Sequence, residues 1–461
     1  MENLRIIIII ISKKCVFENG VSPAILIVEN GKFVKIIRDF DENELQSIRQ
    51  SYPNAIFEDF GNSVLMAGVV DSHVHVNDPG RSDWEGFATA TRAAAAGGIT
   101  TIVDMPLNSI PPTTSVQNLE EKVRVARKNA FVDIAFWGGV IPGNKKELKP
   151  LVNAGVVGFK CFLLPSGIDE FPHVTFDDVD EALEELKSTD SVLAFHAECE
   201  IDDDILKTNG TGNPADYKNF LKSRPSAMEM HAIEKVASAC QKSGVRCHIV
   251  HLSAAEALEI VEKAKKNGAC LTAETCHHYL FLEAEKVPNG ATEYKCCPPI
   301  RERENKEKLW QALKTGILDM VVSDHSPCTE DLKNGGDFIS AWGGISSLQF
   351  GLSLTWTGGR QRGFTLPQIS QFLSANPAKL CGLEGRKGKI CVGADADLVV
   401  WEPDEIITIH RAQIYHKNKL TPYEGQELFG RVRATFLRGR CVYTDGKLCD
   451  ELTGKLLLRN Q

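Results

Sequence analysis

In the stretch Asp71-Ser72-His73-Val74-His75, two imidazoles stand two residues apart directly after the apolar pair Val69-Val70. Side chains two apart on a strand point the same way, so both rings converge on one side at the strand's end. A His-x-His pair alone is as much a structural pattern as a metal-binding one, but other groups stand at corresponding places further on. Lys160 lies inside the apolar run Val156 to Phe162. A buried ammonium there costs free energy unless it is neutralised or modified, the alternative being an amine that bends out to solvent. His196 ends Leu193-Ala194-Phe195-His196, and His251 follows Cys247-His248-Ile249-Val250. The odd spacing between His248 and His251 puts their rings on opposite faces. His251 lies nearer the strand end, so His248 is expected to be a packed structural histidine. Asp324 closes Met320-Val321-Val322-Ser323, where it could also cap the next helix.

Four neutral imidazoles with carboxylate oxygens suit zinc best, and other divalent transition metals are acceptable. Two such ions about 3.5–4 Å apart could share a hydroxide, lowering its pKa so that it attacks at neutral pH. A lysine amine is a poor bridge between two metals. A lysine that has taken up carbon dioxide is a carbamate and bridges as a carboxylate does.

These residues need a scaffold that brings distant strand ends to one point. From about Leu65, apolar runs alternate with amphipathic stretches, which predicts βα units and a parallel sheet. Eight strands are expected in order: Val64–Val70, Thr100–Asp104, Val132–Trp137, Val156–Phe162, Val192–His196, Arg246–Leu252, Cys270–Thr275 and Asp319–Ser323. Helices are expected between them, among them Trp84–Ala96, ended by Gly97-Gly98, and Asp177–Leu186 with its acidic start. Eight strands with eight crossovers predict a closed (β/α)8 TIM barrel, whose active site lies at the C-terminal strand ends. A doubly wound open sheet would want a Gly-rich phosphate turn after an early strand, and the sequence has none there. Short strands are expected at both ends of the chain: Ile6–Ile11, Ala24–Val28 and Lys32–Ile37, then Lys389-Ile390, Leu398–Trp401, Arg433–Leu437 and Arg440–Tyr443. Residues 1–64 and 376–461 are therefore expected to build one small β-domain, a β-sandwich, against a catalytic barrel over 65–375.

The 461 residues exceed what one core usually organises, which agrees with two domains. A net charge of -9 leaves no basic patch for nucleic acid or anionic membranes. Fourteen cysteines without a readable secretory signal are expected as reduced thiols. The Ile6–Ile11 run falls far short of the roughly 20 apolar residues of a membrane span. Leu458-Arg459-Asn460-Gln461 is not the Ser-Lys-Leu peroxisomal address, so a soluble cytoplasmic protein is expected.

Taken together, the order His73-x-His75, Lys160, His196, His251, Asp324 resembles the amidohydrolase superfamily, in particular its cyclic amidase branch, with the allantoinase family the nearest likeness. The matching stretches are DSHVHVNDPGRSDWEGF (71–87), GGITTIVDMPLNSIPPTT (97–114), GFKCFL (158–163), AETCHHYL (273–280), KCCPPIR (295–301), VVSDHSPC (321–328) and AWGGI (341–345). The likeness runs through the Gly393–Asp397 turn and Thr421-Pro422-Tyr423, so it covers essentially the whole chain. It implies two divalent ions, zinc by expectation, bridged by a carbamate on Lys160. His73, His75 and Asp324 would hold one ion, and His196 and His251 the other. Asp324 would also serve as general base and acid. Asn108 and Ser326 resemble the family's substrate-contacting positions, with Trp342 as a wall of the pocket. The implied reaction is hydrolysis of allantoin to allantoate, a step of purine breakdown, in a homotetramer.

Three relatives compete. Dihydroorotase-like sequences resemble His-x-His-x-Arg, the arginine pairing with a substrate carboxylate. Asn77 stands there instead, which favours a neutral ring, and Arg81 could substitute only if the loop curled back. Dihydropyrimidinase and hydantoinase relatives carry a tyrosine five residues after the lysine. This chain has Pro165 there, so the oxyanion needs another donor. Cys297 stands where these relatives usually carry serine. A non-catalytic structural relative would have lost metal ligands, and every ligand position is filled here.

Overall fold

The computed structural model describes residues 6–201 and 212–459. The first five residues of the expected small domain and the last two of the C-terminal tetrapeptide lie outside the described residues.

Eight parallel strands form the barrel: Val69–Val74, Ile99–Asp104, Asp133–Phe136, Phe159–Phe162, Val192–His196, Arg246–Ile249, Leu271–Cys276 and Met320–Val322. They are called barrel strands one to eight below. Strand three continues through Gly138-Gly139 to pair with strand four. The ring closes where the His75 amide donates to the His325 carbonyl at 2.8 Å and Val74 bridges His325 in parallel. Helices cover the barrel for the reason their patterns suggest. Over Phe176–Leu186, Val179, Ala182, Leu183 and Leu186 are buried at helical spacing, and Thr175 with Asp178 forms a capping box at the start.

Each expected barrel strand is present with shorter or shifted bounds, and one is divided. The stretch Val64–Val70 breaks at Gly68: Val64–Ala67 belongs to the terminal sheet and Val69–Val74 to the barrel. A Cβ at Gly68 would lie 2.3 Å from the Thr100 hydroxyl oxygen, so the chain can cross between sheets there only on a glycine. The helix expected over Trp84–Ala96 starts at Phe87, because Gly86 takes a φ of 109°.

Ile7–Phe17, Gly20–Glu29, Lys32–Arg38, Ile56–Asp59 and Val64–Ala67 join Leu398–Thr408, Glu427–Leu437, Arg440–Thr444 and Lys447–Leu448 in one nine-stranded sheet. Its two arms fold toward each other as a β-sandwich. The Phe33 amide donates to the Ala394 carbonyl at 3.0 Å, and Phe60 meets Phe436 edge to face at 5.7 Å. Phe33, Leu65, Leu398 and Phe436 lie in the core between them. No strand forms at Lys389-Ile390, where Gly385 and Gly388 turn the chain through φ of 80° and 82°.

The two bodies are tied by buried charge. Lys387, fully buried, meets Asp133 of strand three at 2.6 Å, Asp397 at 2.5 Å and Asp395 at 3.0 Å. The C-terminal segment leaves the terminal sheet and lies along strand three, with Ile134 donating to Lys455 and accepting from Leu457. All fourteen cysteines are free. Among the described residues no helix is long and apolar enough to cross a membrane.

Candidate active site

All six metal-ligand candidates sit at the C-terminal ends of barrel strands. His73 is in strand one with His75 just beyond it, and Lys160 is in strand four. His196 ends strand five, and His251 and Asp324 each lie two residues past strands six and eight. The last two take φ of 40° and 43°, a left-handed conformation that bulky residues seldom adopt and that clusters at functional sites.

The side chains converge. The rings of His73 and His75 are 5.4 Å apart, those of His73 and His251 5.4 Å, and those of His196 and His251 4.6 Å. One Asp324 oxygen lies 3.2 Å from His73 Nε2 and 3.4 Å from His75 Nε2. Donor atoms of His73, His251 and Asp324 fall within 4.8 Å of one another. His73 Nε2 and His251 Nδ1 are buried with no hydrogen-bond partner, and an Asp324 oxygen lies 3.2 Å from His73 Nε2. Unpartnered lone pairs converging beside a carboxylate are costly in an interior unless a cation satisfies them, so these residues fit a metal.

The local field agrees. Burial disfavours a protonated His73, but Asp324 and Glu274 together outweigh it and move the ring's pKa upward, which marks the spot as one that favours positive charge. Burial also raises Asp324, yet His73, His75 and His251 together bring its carboxyl well below the usual range, leaving it ionised. Burial lowers His75 to about 4 and His251 well below its ordinary value, so both rings are neutral donors at neutral pH. Lys160 is 1% exposed, and its amine lies 5.2 Å from the centre of the Phe162 ring. Burial brings its pKa down to about 8. A free amine is what carbon dioxide reacts with.

Three residues that the sequence reading did not single out hold this cluster in place. Glu274 of strand seven takes His73 Nδ1–H on Oε1 at 2.5 Å and His248 Nε2–H on Oε2 at 3.0 Å. Glu198 takes His196 Nε2–H at 2.7 Å and an Arg224 N–H at 2.5 Å. A carboxylate behind an imidazole fixes its tautomer and turns the other nitrogen's lone pair toward a metal. The signal for Glu274 was the one that exposed Lys160: a charge inside an apolar strand, here Leu271-Thr272-Ala273-Glu274.

The opposite-face assignment for His248 and His251 is corrected. His248 bonds Glu274 Oε2, and the His251 ring lies 5.4 Å from that of His73, which bonds Glu274 Oε1, so both rings lie on the Glu274 side. Strand six ends at Ile249, and alternation does not carry past it. His248 is buried between Glu274 and Thr272, a packed histidine one layer below the centre.

A cavity of about 350 Å³ opens above the cluster and brings Asn108, Ser326 and Trp342 to its wall. Asn108, with a φ of 67°, lies 3.4 Å by its Nδ2 from His75 Nδ1. Trp342 stands edge to face on Trp84 at 4.8 Å, and its indole N–H has no hydrogen-bond partner. Pro165 and Cys297 also line the wall. Asn77 does not: it is buried and donates to the Pro327 carbonyl at 3.2 Å. Arg81 does not curl back, since its guanidinium is spent on the Asn108 carbonyl at 2.8 Å and on Glu170 at 3.1 Å. Of the cavity's three basic side chains, Arg224 is paired with Glu198, Lys295 donates to the Ile339 and Ala341 carbonyls, and Lys160 belongs to the cluster itself. A second cleft, of about 550 Å³ between Ile8, Arg440 and Lys455, contains none of the predicted site residues.

A barrel with histidines and an aspartate converging at its strand ends, beside a small cavity, defines a metal-dependent hydrolase. The profile of the Amidohydrolase family matches residues 64–442, and the chain belongs to this family, within its cyclic amide hydrolases. It is 55% identical to the mitochondrial allantoinase of Aquarana catesbeiana over 377 residues, 81% of this chain and 76% of that one. It is 47% identical to the allantoinase of Streptomyces avermitilis, covering 97% of this chain and 98% of that one. Among solved structures it resembles the L-hydantoinase (dihydropyrimidinase) of Arthrobacter aurescens, with a TM-score of 0.88 at 29% identity over 98% and 99% of the two chains.

Proposed function

We propose that this chain hydrolyses allantoin to allantoate, opening the ring amide of a neutral cyclic ureide. The carrying observation is the pair of buried, unpartnered nitrogens on His73 and His251 that face the Asp324 carboxylate beneath a cavity whose arginine, Arg224, is paired with Glu198. Arg224 is paired with Glu198 and Arg81 with Glu170, so no arginine is left to pair with a substrate carboxylate, which favours a neutral ring over dihydroorotate. Between the neutral rings, relatives named allantoinase at 55% and 47% identity outweigh hydantoinase neighbours at 29%.

His73, His75 and Asp324 would hold one divalent ion and His196 and His251 the other, with Lys160 as the bridge once its amine carries carbon dioxide as a carbamate. Zinc suits this donor set best. When bound, the ions supply Lewis acidity and an activated hydroxide. The chain's own groups do the rest. Ionised Asp324 accepts the proton of the attacking water on its carboxylate and returns it to the ring nitrogen as the C–N bond breaks. Asn108 and Ser326 orient the ureide, and the Trp342 indole N–H is free to donate to a substrate carbonyl. Trp342, held edge to face against Trp84, walls the cavity and limits water beside the reacting carbon.

We further propose a catalytic barrel over 65–375 with a terminal β-domain from 1–64 and 376–461, a homotetramer, and a cytoplasmic location; light scattering and fractionation test the last two. The test of function is turnover of allantoin, hydantoin, dihydrouracil and dihydroorotate by metal-loaded protein. Allantoin is expected to react fastest, and faster turnover of dihydrouracil overturns the assignment. A protein that neither contains nor takes up zinc, cobalt, manganese or iron would instead be a non-catalytic relative.

A further inference from the structure

The two histidines that are held from behind by carboxylates are not held alike. His73 Nδ1 donates to Glu274 at 2.5 Å, and the other Glu274 oxygen takes His248. Among the described residues, Glu274 forms no ion pair with a lysine or arginine. His196 Nε2 donates to Glu198 Oε2 at 2.7 Å, but the same oxygen takes an Arg224 N–H at 2.5 Å. Glu198 is fully buried, and the Arg224 side chain is 21% exposed at the cavity wall.

We propose that Arg224 is a positioning residue that makes the two halves of the metal centre unequal, leaving the ion on His196 and His251 the more weakly held. This rests on the two-ion reading of the site. A carboxylate behind a metal-binding imidazole makes its free nitrogen a stronger donor. A guanidinium on that carboxylate draws the charge away, and a bidentate-capable, permanently charged arginine does so at every working pH. His73 keeps the full push of Glu274. His196 receives a push already spent on Arg224, while the guanidinium adds like-charge repulsion toward any cation bound there.

The test follows metal content by elemental analysis during dialysis against a graded chelator, with no need for activity. Wild-type protein is expected to lose its ions in two steps, one equivalent well before the other. Arg224→Gln keeps an N–H for Glu198 but removes the charge, and should hold the labile ion about tenfold more tightly, merging the steps. Arg224→Lys keeps the charge and should keep two steps. Arg224→Gln with wild-type or weaker retention overturns the proposal. Should that variant fail to fold, Arg224→Met removes the same charge at similar length and is expected to merge the steps too, and wild-type protein that loses both ions in one step overturns the proposal without any variant. Wild-type protein that never takes up two equivalents refutes the two-ion reading itself, a result separate from either variant's.

Discussion

Glu274→Gln changes one charge at the point where two histidines share it, and the consequence can be worked through atom by atom. Glu274 Oε1 takes His73 Nδ1–H at 2.5 Å and Oε2 takes His248 Nε2–H at 3.0 Å. Glutamine has one acceptor oxygen and one NH2 group, so one imidazole would face a donor with a donor. If His73 yields, its proton moves to Nε2 and covers the lone pair meant for a metal. If His248 yields, its bond to Thr272 at 2.7 Å must be rearranged. A hydrogen bond to a charged group contributes about 1.5–3 kcal/mol. At about 1.4 kcal/mol per tenfold, that is a ten- to hundredfold loss of affinity for the ion on His73. Chelator competition with elemental analysis measures it, and circular dichroism checks that the fold survives. A folded Glu274→Gln protein that keeps wild-type affinity for both ions would refute the argument.

Three further outcomes are expected. Lys160→Ala should lose both ions and activity, with partial recovery in millimolar short carboxylates; full metal content in this variant would remove Lys160 from the bridge. In the metal-free protein, burial raises Glu198 and Glu274, but Arg224 with His196, and His73 with His248, outweigh it and bring each from 4.5 to about 2. Because the folded values are lower, their stabilisation is full above about pH 4.5 and disappears as pH falls toward 2, on the order of 3 kcal/mol each. Urea midpoints should therefore drop steeply across that window, and less steeply in Glu198→Gln; equal slopes would contradict the assignment. Lys387→Met leaves buried Asp397 without a counter-charge, while Arg438 still pairs with Asp133 and Arg386 with Asp395, and should destabilise by about 3–5 kcal/mol, with Lys387→Met/Asp397→Asn recovering part of it. A loss below about 1 kcal/mol in urea unfolding would show that the cluster does not hold strand three to the terminal sheet.

The sequence alone determined the class of fold and the identity of the groups that meet in it. A (β/α)8 barrel with a β-sandwich follows from eight apolar runs separated by amphipathic helices and flanked by short strands, because hydrophobic period is a local property that each segment carries by itself. The strand-end places of His73, His75, Lys160, His196, His251 and Asp324 were legible for the same reason, since a polar group closing an apolar run stands out wherever the chain goes. Asn77 likewise favoured a neutral ring, and Pro165 set the chain apart from hydantoinase-type relatives, without any coordinates.

Tertiary structure decided what depends on pairing between segments far apart in the chain. Gly68 divides one apolar run between two sheets because Thr100, more than thirty residues later, leaves no room for a Cβ. His248 and His251 share one side because strand six stops at Ile249, and only the barrel's closure sets where a strand stops. Glu274 stands out in sequence as a charge inside an apolar strand and Glu198 as an acid two residues past His196, but neither shows its partner. Their meaning comes from the rings they face across the barrel. As for His73 and His75, spacing indicated that they point together, but not which nitrogen each presents. That choice belongs to Glu274, two hundred and one residues away from His73, and to the Asp324 carboxylate between them.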